Sequence, residues 1–252
     1  MEKSSHYVVQ CIEKNKIDAG IDFMIQPIFD LSRVACIGGE VLVRGKHRRN
    51  VVPPNFFISQ LEATGGILLM GDYIMVRLFE FIAEQPREIR DKQVFTLNVS
   101  QVQLNDSAFA VRANGLLEQY QITPQQIIFE VTDSAEQPEQ TMIDNLQQLR
   151  DAGANLAWDG IDCLDKLKRK LDTFQPDYIK LDRSCLASNH LNDTFMMLEY
   201  LDSYDCDVIV EGVENYTHIS TMLHRGVKYG QGFLFSRPVS KEQFQKEYMV
   251  PV

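Results

Sequence analysis

The chain is poor in the features that would take it out of a reducing, aqueous compartment. Its five cysteines, Cys11, Cys36, Cys163, Cys185 and Cys206, are scattered and odd in number, which suits free thiols better than a disulfide framework. No apolar run approaches the ~20 residues of a bilayer span. The most apolar stretch, GGILLMGDYIMV, is broken by Gly71 and Asp72, and the opening MEKSSHYVVQCIEKNKIDAG has no continuous apolar segment of a secretion signal. The expectation is a cytoplasmic protein with no membrane partner. The five histidines show no H-x-x-x-H spacing and there is no C-x-x-C, so zinc is disfavoured. Positive charge is also short: 25 Lys+Arg stand against 35 Asp+Glu, a formal net charge of −10. Such a chain repels nucleic acid at long range, so direct nucleic-acid binding is not expected, and an anionic nucleotide ligand requires local cations or metal ions.

What is present is apolar and ordered. Of 252 residues 44% are hydrophobic, and no Pro/Gly/Ser-rich linker or repeat divides them, which fits one large domain. Eight short apolar runs recur: 23–29, 40–44, 94–100, 127–132, 155–159, 177–182, 207–212 and 232–237. Their near-continuous Val, Ile and Phe content predicts strands covered on both faces, the mark of a parallel sheet under helices. Between them lie segments of helical period, such as NLQQLRDAG, where Leu146 and Leu149 share a face and Gly153 marks the stop. The fold class is therefore α/β, a single-domain (β/α)8 TIM-like barrel over 17–252 behind an N-terminal extension over 1–16. A flavodoxin-like doubly wound sheet is the alternative. The basic run RGKHRRN (44–50) is placed in a solvated loop, and Phe29, Trp158 and Tyr229 in the core.

In several runs an apolar residue is followed directly by a single charged or amide residue: Leu97 by Asn98, Phe129 by Glu130, Trp158 by Asp159, Ile179 by Lys180 and Val210 by Glu211, with Glu40 opening the second run. In a (β/α)8 barrel the C-terminal rim of the strands carries the chemistry, and residues distant in sequence meet there. One buried acid is explained by a cap or an ion pair, but an acid or amide at strand after strand forms an all-oxygen set suited to Mg²⁺ or Mn²⁺. Lys180 admits two roles: a protonated lysine that orients water or phosphate, or a desolvated amine able to form a Schiff base in a lyase. Asp182, two residues further on the same strand, is expected to pair with Lys180 and keep it protonated.

In order along the chain, these segments resemble the EAL-domain family of cyclic-di-GMP phosphodiesterases, from about Ile17 to Val239. QPIFDL (26–31) is similar to the family's QPI-D segment, GEVLVRG (39–45) to E-A-L-x-R, TLNVS (96–100) to N-x-S and FEVTD (129–133) to E-x-T-E. PDYIKLDRS (176–184) matches D-x-x-K-x-D, VEGVEN (210–215) matches E-G-V-E, and GQGFLFSRP (230–238) matches Q-G-x-x-x-S-R-P. The resemblance implies a (β/α)8-type barrel of the EAL type that opens one phosphodiester of the cyclic dinucleotide to linear pGpG with two Mg²⁺ or Mn²⁺ ions. It implies Glu40, Asn98, Glu130 and Asp159 as metal ligands and Glu211 as metal ligand or catalytic base. It further implies Lys180 as the group that positions water, Gln26 and Arg44 facing the dinucleotide, and Gln231 supporting the site.

The departures set the functional expectation. The family's D-D-F-G-T-G loop falls on Asp159, Gly160, Ile161, Asp162, Cys163 and Leu164, so the second acid is Gly160. Asp133 replaces a glutamate and Val41 an alanine. The expectation is a stand-alone, partly degenerate member acting as a regulatory protein of the cyclic-di-GMP and motility network. It has weak or no phosphodiesterase activity, keeps cyclic-di-GMP as a candidate ligand, and acts through a protein partner such as a transcription regulator of flagellar genes, as monomer or homodimer. The alternative is an active Mg/Mn-dependent phosphodiesterase in which Asp162 completes the second metal site.

Overall fold

The computed structural model describes residues 2–132 and 138–250. Its strands are β1 (Ile21–Asp30), β2 (Ala35–His47), β3 (Asn50–Val52), β4 (Val94–Val99), β5 (Ile127–Val131), β6 (Asn155–Ile161), β7 (Tyr178–Leu181), β8 (Asp207–Val210) and β9 (Tyr229–Gly230). The sheet order is β1-β9-β8-β7-β6-β5-β4-β2-β3, and β1 also pairs with β2, so eight strands close into a barrel with β3 appended outside the ring. From β4 to β9 the pairs are parallel. That requires a crossover between strands, supplied by helices such as Gln140–Asp151, Leu164–Thr173 and Leu191–Leu201. The strand burial follows: all five residues of β5 are buried, covered by side chains of the barrel interior on one face and helices on the other.

Three sequence expectations change. β1 and β2 pair antiparallel, Gln26 opposite Glu40, because the short turn between them leaves no room for a crossover helix, and a tight turn suffices for antiparallel neighbours. The run 232–237 is no strand; the ring is closed by the two residues of β9. A Cβ on Gly232 would stand 2.2 Å from backbone atoms of Val213, and Val213 N and Leu234 N bond Gln231 O and Val213 O. This segment is thereby tied to the loop after β8 and turns over it. The basic run 44–50 is the tip of an antiparallel hairpin, with Lys46 opposite Val51 and His47 opposite Asn50.

The helix Glu2–Glu13 is packed rather than trailing: Val8, Val9 and Ile12 are at most 1% exposed. Val8 lies against the hairpin at Gly45, and the Tyr7 ring stacks on His47 at 4.5 Å. The helix Gln140–Asp151 ends as its sequence predicts, with Gly153 left-handed at φ +94. Trp158 and Phe29 are core residues, and Tyr229 lies half-buried near Tyr178, ring centres 6.4 Å apart.

Candidate functional site

Parallel strands end together, so a polar residue closing each of them lands on one rim. The register sets Asn98 beside Glu130 and Glu130 beside Ala157, whose face Asp159 shares two residues on. β2 reaches the rim in mid-strand: its last residue paired with β4 is Val41, opposite Leu97, and it continues from there to His47. Glu40 therefore belongs to the rim although it is interior to its strand. On β6 the pairing to β7 slips between Trp158 and Ile161. Such a bulge re-aims side chains, and here it carries Asp159 and the left-handed Gly160, φ +66.

The centre of the rim is Lys180. Its fully buried Nζ lies 3.1 Å from Glu40 Oε2, 3.0 Å from Glu130 Oε1, 3.0 Å from Glu211 Oε1 and 3.7 Å from Asp159 Oδ1. Asn98 Nδ2 donates to Glu40 Oε1 at 2.9 Å. Gln231 Nε2 donates to Glu40 Oε2 at 2.6 Å and to Glu211 Oε1 at 3.2 Å. The six groups expected to meet do so, and Gln231 joins them. Burial alone would discharge Lys180, but Glu130, Glu40, Glu211 and Asp159 together hold its pKa well above the ordinary lysine value. The four acids favour the charged ammonium, which argues against the Schiff-base role.

The acids are not equivalent. Burial raises Glu130 well above the usual carboxylate range, with Glu40 and Asp159 adding to the effect against Lys180. Burial also raises Glu211. In Glu40 burial is outweighed by Lys180 and by the amides of Gln231 and Asn98, and its pKa falls. Gln26 and Arg44 stand aside from the cluster: Gln26 Nε2 donates to Ser236 O at 3.3 Å and the half-buried Arg44 to Val43 O at 2.9 Å. The expected Lys180–Asp182 pair does not form. Asp182 instead caps the turn after β7, its Oδ1 accepting from Ser184 N at 2.8 Å, because β7 ends at Leu181 and the chain bends away. Asp162 is exposed, and Asp133 lies outside the described residues.

The donor set is hard: carboxylate oxygens and amide carbonyls, which suit Mg²⁺ or Mn²⁺. The buried Gln231 Oε1, on the amide whose Nε2 faces Glu40 and Glu211, lacks a hydrogen-bond partner and is an acceptor that a water or cation would satisfy. The side chains as placed close on the ammonium, and no group of three acids, histidines or cysteines among the described residues forms a ready-made cage. Glu40, Asn98, Glu130 and Asp159 supply the oxygen donors that a hard ion takes, but as placed the three acids turn to the ammonium, and Gly160 adds no carboxylate to them. Beside Glu40 and Asn98 a cavity of about 300 Å³ opens, walled by Val41, Leu97, Ile67, Met70 and Ile74, at the small end of ligand-pocket size. Sequence reasoning missed Lys166, whose Nζ donates to Gly160 O at 2.8 Å; it lies in an amphipathic helix like many surface lysines.

Comparison with known proteins bears on the family and the fold. The EAL-domain family model matches residues 13–238. The cyclic di-GMP phosphodiesterase PdeL of Escherichia coli is 26% identical over 238 residues, covering 90% of this chain and 64% of PdeL. RocR of Pseudomonas aeruginosa, also a cyclic di-GMP phosphodiesterase, is 28% identical over 235 residues, covering 87% and 57%. An uncharacterized signaling protein of Caulobacter vibrioides is 29% identical over 220 residues, covering 84% of this chain and 27% of its own length. The chain thus spans between about a quarter and two thirds of the length of these relatives. Among solved structures, the EAL enzyme Bd1971 with cAMP and cyclic-di-GMP bound aligns at TM-score 0.86 and 24% identity, over 97% of this chain and 68% of that one. The cyclic-di-GMP complex of the PaMucR phosphodiesterase aligns at 0.81 and 20%, over 94% and 99%. These two alignments establish a shared barrel fold.

Proposed function

The chain belongs to the EAL-domain family, related to cyclic-di-GMP phosphodiesterases, and from that premise we propose that it is a regulatory member of a cyclic-di-GMP and motility network with weakened catalysis. It binds the cyclic dinucleotide at the acidic rim and acts through a protein partner, with a transcription regulator of flagellar genes as the best fit. The observation that carries this reading is Gly160. It stands in the β6 bulge directly after Asp159 with φ +66 and nothing within 4 Å of where a β-carbon would be, so the acid that the family motif has there is missing and no neighbour fills its place.

Glu40, Asn98, Glu130 and Asp159 would hold a Mg²⁺ or Mn²⁺ ion, which when bound acidifies a water and offsets charge on phosphoryl oxygens. Glu211, whose side chain is 23% exposed, is the cluster's solvent-facing proton acceptor. Lys180 holds a hydroxyl or phosphoryl oxygen against it, and Arg44 and Gln26 flank the dinucleotide. Loss of an outer supporting group commonly costs about 10- to 100-fold in metal affinity or activity, and loss of a direct ligand costs at least as much. With Mg²⁺ or Mn²⁺, conversion of cyclic-di-GMP to pGpG is expected well below ~1 s⁻¹, the low end of ordinary enzymes, while calorimetry in Ca²⁺ still registers binding. Turnover at ~1 s⁻¹ or faster would overturn the reading.

One observation favours a working phosphodiesterase instead: Glu40, Asn98, Glu130, Asp159, Lys180 and Glu211 all converge. On that reading Asp162 completes the site, and Glu40→Ala and Asp162→Ala each abolish measurable turnover.

A further inference from the structure

The hairpin of β2 and β3 presents two different faces. Side chains alternate along a strand, and one face packs inward: Gly45 against Val8, His47 stacked on Tyr7 with Nδ1 2.9 Å from Ser4 Oγ, and Val52 fully buried. The opposite face carries Arg44, Lys46 and, directly across from Lys46, Val51 at 57% exposure. The turn itself is Arg48 and Arg49, both exposed. Phe56, 44% exposed, follows in the turn Pro54–Phe56. From Arg44 to Leu61 there is no acidic residue, in a chain of net charge −10. Lys46 has a loose exposed partner in Asp22 at 3.6 Å, and neither turn arginine has an ion pair among the described residues.

The turn breaks a local rule. Arg48 is left-handed, φ +59, in a two-residue hairpin turn whose first position favours glycine. An arginine there gains nothing inside the fold, and departures of this kind concentrate at functional sites.

We propose that the outward face of this hairpin, Arg48, Arg49 and Lys46 around Val51 and Phe56, is the docking surface for an acidic amphipathic segment of a protein partner. The proposal rests on the reading that the protein works through a partner, and names the surface and the chemistry it takes. Charge complementarity sets the sign: this is a local cationic patch on an anionic molecule. The exposed apolar pair sets the class, since Val51 and Phe56 match apolar side chains between acids, whereas a nucleic-acid backbone offers them nothing and is repelled by the rest of the surface. Because β2 rises past the rim, a docked segment lies beside Arg44 at the mouth of the site.

The test is fluorescence anisotropy with a labelled peptide of alternating glutamate and leucine, its lysine-for-glutamate counterpart and a single-stranded DNA of equal charge. The wild-type protein binds the acidic peptide, more weakly as salt rises, and the double variant Arg48→Gly/Arg49→Gly loses about tenfold or more in affinity with an unchanged or higher melting temperature, because glycine suits the turn. Equal binding by the variant, equal binding of the basic peptide, tighter binding of the DNA, or no binding by the wild type overturns the proposal. Turnover on the same samples keeps the two readings apart: fast hydrolysis sinks weakened catalysis and leaves the hairpin result standing.

Discussion

A β-carbon at position 160 would meet no atom within 4 Å, so an aspartate fits there without displacing a neighbour. The cost is backbone: left-handed φ disfavours non-glycine residues by about 1–2 kcal/mol, less for Asp, whose short side chain bonds locally. Gly160→Asp is therefore expected to lose about 1 kcal/mol of stability while tightening Mn²⁺ binding about tenfold or more. Gly160→Ala should show the loss without the gain; unchanged Mn²⁺ affinity by calorimetry in the aspartate variant would remove Gly160 as the weak point. Lys180 gives a second test. Replacing one member of a buried ion cluster costs about 3–5 kcal/mol, so Lys180→Met is expected to lose that much at neutral pH in metal-free buffer. Without the ammonium, burial and mutual repulsion raise the acids further, beyond the upward shifts already present in Glu130 and Glu211. An acid whose folded pKa is raised contributes stability below that pKa and loses it as pH climbs through it. The variant's deficit should accordingly shrink from pH 8 to pH 5, read by urea denaturation, and a deficit that grows on acidification would contradict the clustering. These acids were legible in sequence because each stands near an end of an apolar run, Glu40 at its start and the others near its close. The support of Gln231 was legible only through the family motif, and the capping role of Asp182 depends on where β7 stops.

Elements were legible where their periodicity is strong and their connections long. Leu146 and Leu149 predict the helix Gln140–Asp151 correctly, but nothing in that pattern marks Asn145 just before them, 1% exposed. Its Nδ2 donates to Leu104 O at 2.7 Å and Asp106 O at 3.0 Å, and its Oδ1 accepts from Ala110 N at 3.1 Å. One side chain thus satisfies three backbone groups of the connection that follows Asn98. Deleting it leaves Asp106 O its bond from Phe109 N but strands Leu104 O and Ala110 N, at ~1–3 kcal/mol for each group left buried without a partner. Asn145→Ala is expected to destabilise by about 3 kcal/mol; a loss below about 1 kcal/mol on chemical denaturation would mean that water replaces it. The antiparallel first pair and the turned segment 232–237 escaped the sequence for a related reason. Both are decided by what the backbone bonds across the chain, β1 to β2 and Gln231 to Val213, while apolar composition reads the same in either direction and in a buried turn.

Eight runs predicted eight strands, and eight strands close the ring, yet one of the eight is the two-residue β9 instead of the apolar run that follows it. Closure needs only enough backbone to bridge β8 and β1, which is why the barrel survives that misplacement. Net charge, in contrast, is a property of the whole chain and reads directly from its sequence. At −10 the molecule presents a repulsive field to an anionic cyclic dinucleotide, and that field reaches ~30 Å at 0.01 M salt but only ~8 Å at 0.15 M. Under the proposed reading, screening therefore removes the repulsion before it weakens short contacts to a dinucleotide held inside the rim, where charges are screened less. The association rate of cyclic-di-GMP, followed by stopped-flow fluorescence in the presence of Ca²⁺, is expected to rise severalfold over that range, opposite to the fall seen when a cationic surface steers an anion. A falling rate would mean that Arg44 and the cationic hairpin above the mouth outweigh the field of the rest of the molecule on the path the ligand takes.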